Sequence, residues 1–217
     1  MPILPRRFRF QAASAFGALA VGFAVAGAGL LAGCESDDSG RAGNGGTDAV
    51  DLGIPDRAWD PGHDDVGWCG ETCIQMAAGH YGREIPQAEI NRAAGSPPDV
   101  TEDDLDAALS NLGIPYASWN DSNSDVNAFI AWIKSWLERG CPVICGTKIY
   151  PDENPAWYVD HFVLAVGFNA AGLILNTQLD CDGQILVSYA ELASMEADYA
   201  FQNRHGRFFG RAITGAR

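Results

Sequence analysis

Residues 67–82 read GWCGETCIQMAAGHYG, and the fold turns on where the helix in that stretch begins. Trp68 and Cys69 follow a loop from Asp60 to Gly67. Ile74, Met76, Ala77 and Ala78 then supply apolar positions, and Gly82 is suited to a C-terminal stop, so the pattern predicts a helix over Cys69–His80. Cys69 falls in the first turn. Free N–H groups and the macrodipole favour an anion there, so the Cys69 thiolate is expected to be stabilised. Gly70 lets another segment approach closely. Glu71 suits a first helical turn, but its charge opposes ionisation of the neighbouring thiol. Cys73 lies one turn further in, where it is expected to pack as a small hydrophobe, which leaves Cys69 as the candidate nucleophile.

Downstream, Gln87–Ala94 reads as a short helix, and Thr101-Glu102-Asp103-Asp104 caps a helix that ends at Gly113. Another follows Ser124: Val126, Phe129, Ile130, Ile133, Trp136 and Leu137 form one stripe, and Gly140 ends it. The period then changes. Residues 142–147 (PVICGT) and 161–168 (HFVLAVGF) read as strands, the second apolar on both faces as buried strands are. Asn169–Gly172 is a turn, Leu173–Asn176 returns, and Gln184–Val187 adds a strand. Ser188-Tyr-Ala-Glu191 is a capping box for a helix expected to run to about Tyr199, and Arg207–Thr214 closes as a strand. Helices first and an antiparallel sheet after is the α+β pattern, N-terminal helices packed on a C-terminal sheet.

The segment before this domain has another character. Arg6, Arg7 and Arg9 precede a run from Ala12 to Gly33 without any charge, which ends Leu31-Ala32-Gly33-Cys34. A basic start, an apolar middle and small residues before a break read as a secretory signal. The last four residues resemble a bacterial lipoprotein box, in which the Cys is lipidated. An uncleaved membrane span is the alternative, and Gly17, Gly22, Gly27, Gly29 and Gly33 make it a poor helix for that role. Residues 1–33 are therefore expected to be a lipoprotein signal peptide, 34–56 a flexible tether rich in Gly, Ser and Asp, and 57–217 the folded domain. The bilayer is the expected partner of lipidated Cys34, in a periplasmic or cell-surface setting. A formal net charge of −14, from 14 Lys+Arg against 28 Asp+Glu, argues against a nucleic-acid partner.

A nucleophile needs a base and a group that orients it. Of the four His, His161 opens the buried strand, where Val or Ile is usual. Asn176 ends the strand returning from it. Cys, then a distant His, then Asn is the chain order of papain-like enzymes. The stretches GWCGETCIQMAAGHYG, CPVICG and VDHFVLAVGFNAAGLILN resemble the bacteriocin-processing cysteine peptidases, the C39 type. The resemblance covers residues 57–190. It implies a papain-like fold, with Cys69 as nucleophile, His161 as base and Asn176 at the orienting position. It also puts His63 where the family's oxyanion-binding Gln stands; a neutral imidazole keeps one N–H donor for that role. Asn176-Thr177 replaces the family's Asp-Pro.

Register leaves one difficulty. If Phe168 pairs with Leu173, then Ala165 faces Asn176 and His161 faces Asp180. His161 and Asn176 then share a face about 13 Å apart. Coiling or a bulge must close that gap, and Asp180 stays open as the orienting residue.

The other cysteines have plainer readings. Cys145 reads as a buried thiol, and Cys141 with Cys181 as a possible bridge. No Cys-x-x-Cys or His-x-x-x-His spacing supports zinc, so no metal or organic cofactor is expected. His80 near a helix end and His205 in a loop read as structural. The expected activity is an exported thiol peptidase acting on a peptide or protein through a Cys-His-Asn triad. Cell-wall amidase or acyl-transfer chemistry on the same triad, and a non-catalytic surface binding module, are the alternatives.

Overall fold

Helix α1, Cys69–His80, forms where the pattern predicts it. It is buried on almost every side, because Gly70, Ala77 and Ala78 let neighbours close in. A Cβ on Gly70 would meet Val100 at 3.1 Å. The computed structural model describes residues 47–60, 67–120, 122–149, 159–179 and 183–216, all within one unit, Gly33–Arg217. The signal segment, Cys34, His63, Asp180 and Cys181 lie outside the described residues.

Helices α2 (Gln87–Ala93) and α3 (Glu102–Asn111) follow. Thr101 and Asp104 close a reciprocal capping box on α3. Helix α4, Val126–Leu137, is capped by Asp125 and buries Val126, Phe129, Ile130, Ile133 and Leu137, the predicted stripe. Trp136 is only partly buried at its margin.

The strands are β1 (Val50–Asp51), β2 (Tyr116–Ser118), β3 (Val143–Thr147), β4 (His161–Phe168), β5 (Gly172–Asn176), β6 (Gln184–Ser188) and β7 (Gly210–Ile213). They form one antiparallel sheet in the order β2-β7-β3-β4-β5-β6, with β1 pairing the far end of β4. Strands β3 and β4 are buried throughout, as their unbroken apolar runs require. Helices α1, α2 and α3 pack on one face of the sheet and α4 on the other, each with its own apolar core. The architecture is α+β. Among the described residues no helix is long and apolar enough to cross a membrane.

Two expectations change. The folded chain begins before Arg57: Val50 pairs with Phe168, and the Leu52 N–H bonds the Val166 carbonyl at 2.9 Å, inside the expected tether. Free backbone on β4 beyond the end of β3 draws this segment in. The Ser188 capping box forms, but helix α5 spans only Tyr189–Leu192, not a run to Tyr199. The Leu192 carbonyl accepts from the Phe201 N–H at 2.9 Å, and Ala200 bridges to Lys148, so the chain turns back to the sheet.

Candidate active site

Cys69 is the first residue of α1 and His161 the first of β4. They are 9% and 4% exposed and line one cavity of about 580 Å³, with Trp59, Val100, Ile149 and Leu179 among its apolar walls. Asp99 and Glu102 also line it. The N–H of Phe162, one residue beyond His161, faces the Cys69 sulfur together with the N–H groups of Gly70 and of Cys69 itself.

The thiolate expected from the helix start is not favoured at rest. Burial pushes the Cys69 thiol up to about 12, and the Glu71 charge adds to that, against the opposing N–H groups. A helix terminus offers an anion about 0.3–1 kcal/mol, whereas burying a charge costs several. Burial therefore wins, and the resting sulfur is a neutral thiol. Glu71 is itself fully buried, with Oε1 accepting from Asn91 Nδ2 at 2.8 Å. The Cys69 N–H, a natural oxyanion donor, bonds the Gly67 carbonyl at 2.7 Å in this state.

His161 Nε2 lies 2.9 Å from the Thr177 carbonyl. A carbonyl only accepts, so Nε2 carries the proton. In the neutral ring Nδ1 is then the acceptor, the state a general base requires.

Asn176 is not what holds the ring. Its Nδ2 donates to the Ile54 carbonyl at 3.0 Å and approaches Met76 Sδ at 3.4 Å, while its Oδ1 accepts from Gln184 Nε2 at 2.8 Å. A bulge in β4 is the reason. Phe168 pairs with Leu173 as expected, but the register shifts between Ala165 and Gly167, so Asn176 stands opposite Leu164 instead of Ala165. Asn176 thereby joins Leu164 on the α1 side, and His161 falls on the alternate position. The next residue along the chain supplies a backbone carbonyl instead. His63 and Asp180, the other residues weighed for this site, lie outside the described residues.

Cys73 and Cys145 follow their plain readings. Cys73 is fully buried and takes a bond from Gln178 Nε2 at 3.0 Å, and Cys145 is buried and free. Cys141 is disulfide-bonded, with its partner outside the described residues. Among the described residues no cluster of His, Cys, Asp and Glu could hold a metal ion. His80 Nε2 bonds the Gly140 carbonyl at 3.0 Å, the structural use expected of it.

Sequence reasoning missed two groups. The Trp59 ring sits 6.5 Å from His161, and its Nε1 is buried with no hydrogen-bond partner among the described residues. A lone Trp in a loop carries no periodic signal. The Thr177 carbonyl belongs to the backbone, so no residue type announces it.

Solved structures similar to this chain include the peptidase domain of Streptococcus ComA, a bifunctional ABC transporter involved in a quorum-sensing pathway. That match has a TM-score of 0.50 at 13% identity, covering 74% of this chain and 98% of that one. A protein from Bacillus anthracis described as a C39-like peptidase matches with a TM-score of 0.55 at 12% identity, covering 79% and 100%. The fold is that of C39-type peptidase domains. No family model matches the sequence, and no curated protein does. The likeness therefore lives in the course of the backbone, which places α1 against the start of β4.

Proposed function

We propose that this chain is a thiol peptidase, with Cys69 as nucleophile and His161 as general base. The observation that carries the reading is that these two side chains, from α1 and β4, line the same cavity in a C39-type fold. Because the resting thiol is neutral, the reaction starts with proton transfer. His161 Nδ1 takes the proton as Cys69 Sγ bonds to the acyl carbon of a peptide, and the carbonyl electron pair moves onto oxygen. The Trp59 indole N–H, without a partner among the described residues, and His63 by its place in the chain, are the donors assigned to that oxygen. The protonated ring then delivers its proton to the leaving amine, and water hydrolyses the thioester. The apolar walls suit a peptide substrate with an apolar side chain next to the scissile bond. Acyl transfer or amidase action on cell-wall peptides uses the same steps with another amine or amide.

Export and lipidation at Cys34 belong to this reading, supported by the uncharged run to Gly33 and by the disulfide at Cys141, which suits an oxidising compartment. A non-catalytic surface module is the second reading, favoured by the burial of Cys69 and its raised pKa.

One experiment separates them. Purified protein is treated with an electrophilic peptide probe, and the modified residue is mapped by mass spectrometry. Labelling should fall on Cys69, vanish in Cys69→Ala and slow by about 10²–10⁴ in His161→Ala. Label on Cys73 or Cys145, or undiminished label in Cys69→Ala, overturns the assignment.

A further inference from the structure

We propose that Asp56 is a positioning residue for His161, acting through the peptide group that joins Thr177 to Gln178. The inference rests on the reading of His161 as the base for Cys69. The Thr177 carbonyl and the Gln178 N–H belong to one peptide plane, and in a trans peptide they point in opposite directions. The carbonyl accepts from His161 Nε2 at 2.9 Å. The N–H donates to Asp56 Oδ1 at 3.1 Å. Carboxylate, peptide and imidazole thus stand in series.

The electrostatics give that series a direction. A peptide whose N–H donates to an anion carries more negative charge on its carbonyl oxygen. Bonds in such a chain strengthen one another by roughly 10–30% each. The acceptor facing His161 is therefore more than an ordinary carbonyl, and its gain is largest when the ring becomes a cation on taking the Cys69 proton. The charge of Asp56 thereby reaches the ring through the backbone.

The peptide plane is held in place from several sides. Gln178 has a φ of +61°, a left-handed conformation that a non-glycine residue adopts at a cost, and such strain persists only where the surroundings enforce it. Its side chain is 2% exposed and ties Cys73 Sγ on α1, at 3.0 Å, to the Asn176 carbonyl at 3.1 Å. The same residue thereby links the helix that presents Cys69 to the peptide that holds His161. Asp56 is fixed by its own segment, since the Ile54 carbonyl takes bonds from Asn176 at 3.0 Å and Gln184 at 3.2 Å. Burial raises the Asp56 pKa, while N–H groups of Gln178 and Arg57 favour its anionic form.

The test is Asp56→Asn, which keeps an acceptor for the Gln178 N–H and removes the charge. In ¹⁵N-labelled protein, the Nε2–H resonance of His161 should move upfield, and Cys69 alkylation by iodoacetamide should slow by about two- to fourfold, the scale of a 10–30% change in one hydrogen bond to a charged group. The melting temperature should change little. A shift in an imidazole proton is not something a merely structural role for Asp56 would produce in a protein that melts normally. Asp56→Ser, smaller and neutral, keeps the test readable should Asp56→Asn fail to fold. A folded variant with the His161 resonance and the alkylation rate unchanged overturns the proposal. A moved resonance in a protein whose Cys69 never takes a peptide probe supports the coupling and removes the peptidase reading.

Discussion

On one face of the sheet, Phe129 of α4 stacks on Phe208 at 5.4 Å and lies 5.3 Å from Trp119 and 5.1 Å from Phe201, ring centre to ring centre. On the other face, α1 brings Cys69, Glu71, Thr72 and Cys73 into contact with β4 and its surroundings, and Gln87, Asn91, Asn176 and Gln178 are buried nearby. The same strands serve both. The α4 face is held by shape and apolar area, and it fits so closely that a Cβ on Gly210 would meet Phe129 at 2.7 Å. The α1 face adds buried polar groups to its apolar core, several of them bonded to one another, as Asn91 is to Glu71 and Gln178 to the Asn176 carbonyl. The cavity lined by Cys69 and His161 lies where the start of α1 meets the start of β4. The two faces thus divide between aromatic packing under α4 and a core with a larger polar share under α1.

The largest test of that division is Phe129→Ala. It removes the centre of the aromatic cluster and should cost about 3–5 kcal/mol of stability in a denaturant melt. Probe labelling of Cys69 per folded molecule should stay unchanged; a lost label in protein that is still folded would break the division.

A smaller effect is expected from Asn176→Ala. The Ile54 carbonyl and the Gln184 side chain lose a buried partner, so stability should drop by about 1–3 kcal/mol. His161 keeps its bond to the Thr177 carbonyl, and the labelling rate should hold to within a few-fold. A fall as large as that of His161→Ala would restore Asn176 as the orienting residue.

The gentlest test is pH. Burial pushes Cys69 and Tyr81 up to about 12 and raises Cys73 and Cys145 from the same cause. These groups hold their protons more tightly folded than unfolded. Their contribution is therefore complete below their ordinary values, near 9–10, and declines as pH rises toward 12. Melting temperature should fall steadily from pH 9 upward, and Cys69→Ser should flatten part of the decline. A flat profile would mean that the thiols are not buried as described.

The helices were readable because their signals are local. The period of α4, the capping box at Thr101 and the stop at Gly82 each need only a few neighbouring residues. Cys69 and His161 stood out for the same reason, one at a helix start and one polar residue opening an apolar strand. Helix α5 is shorter than its start suggests, because a capping box marks a beginning and says nothing about the end.

Amino-acid order alone determined the α+β class, the helices α1 to α4, the long strands β3 to β5 and the two residues that line one cavity, since each depends on spacing along the chain; the short β1 and β2 carry no such signal. Only the folded structure decided the protonation of Cys69, the face on which Asn176 lies and the backbone group that holds His161. Those depend on burial and on one shifted residue in β4, and both arise from the packing of segments far apart in the chain.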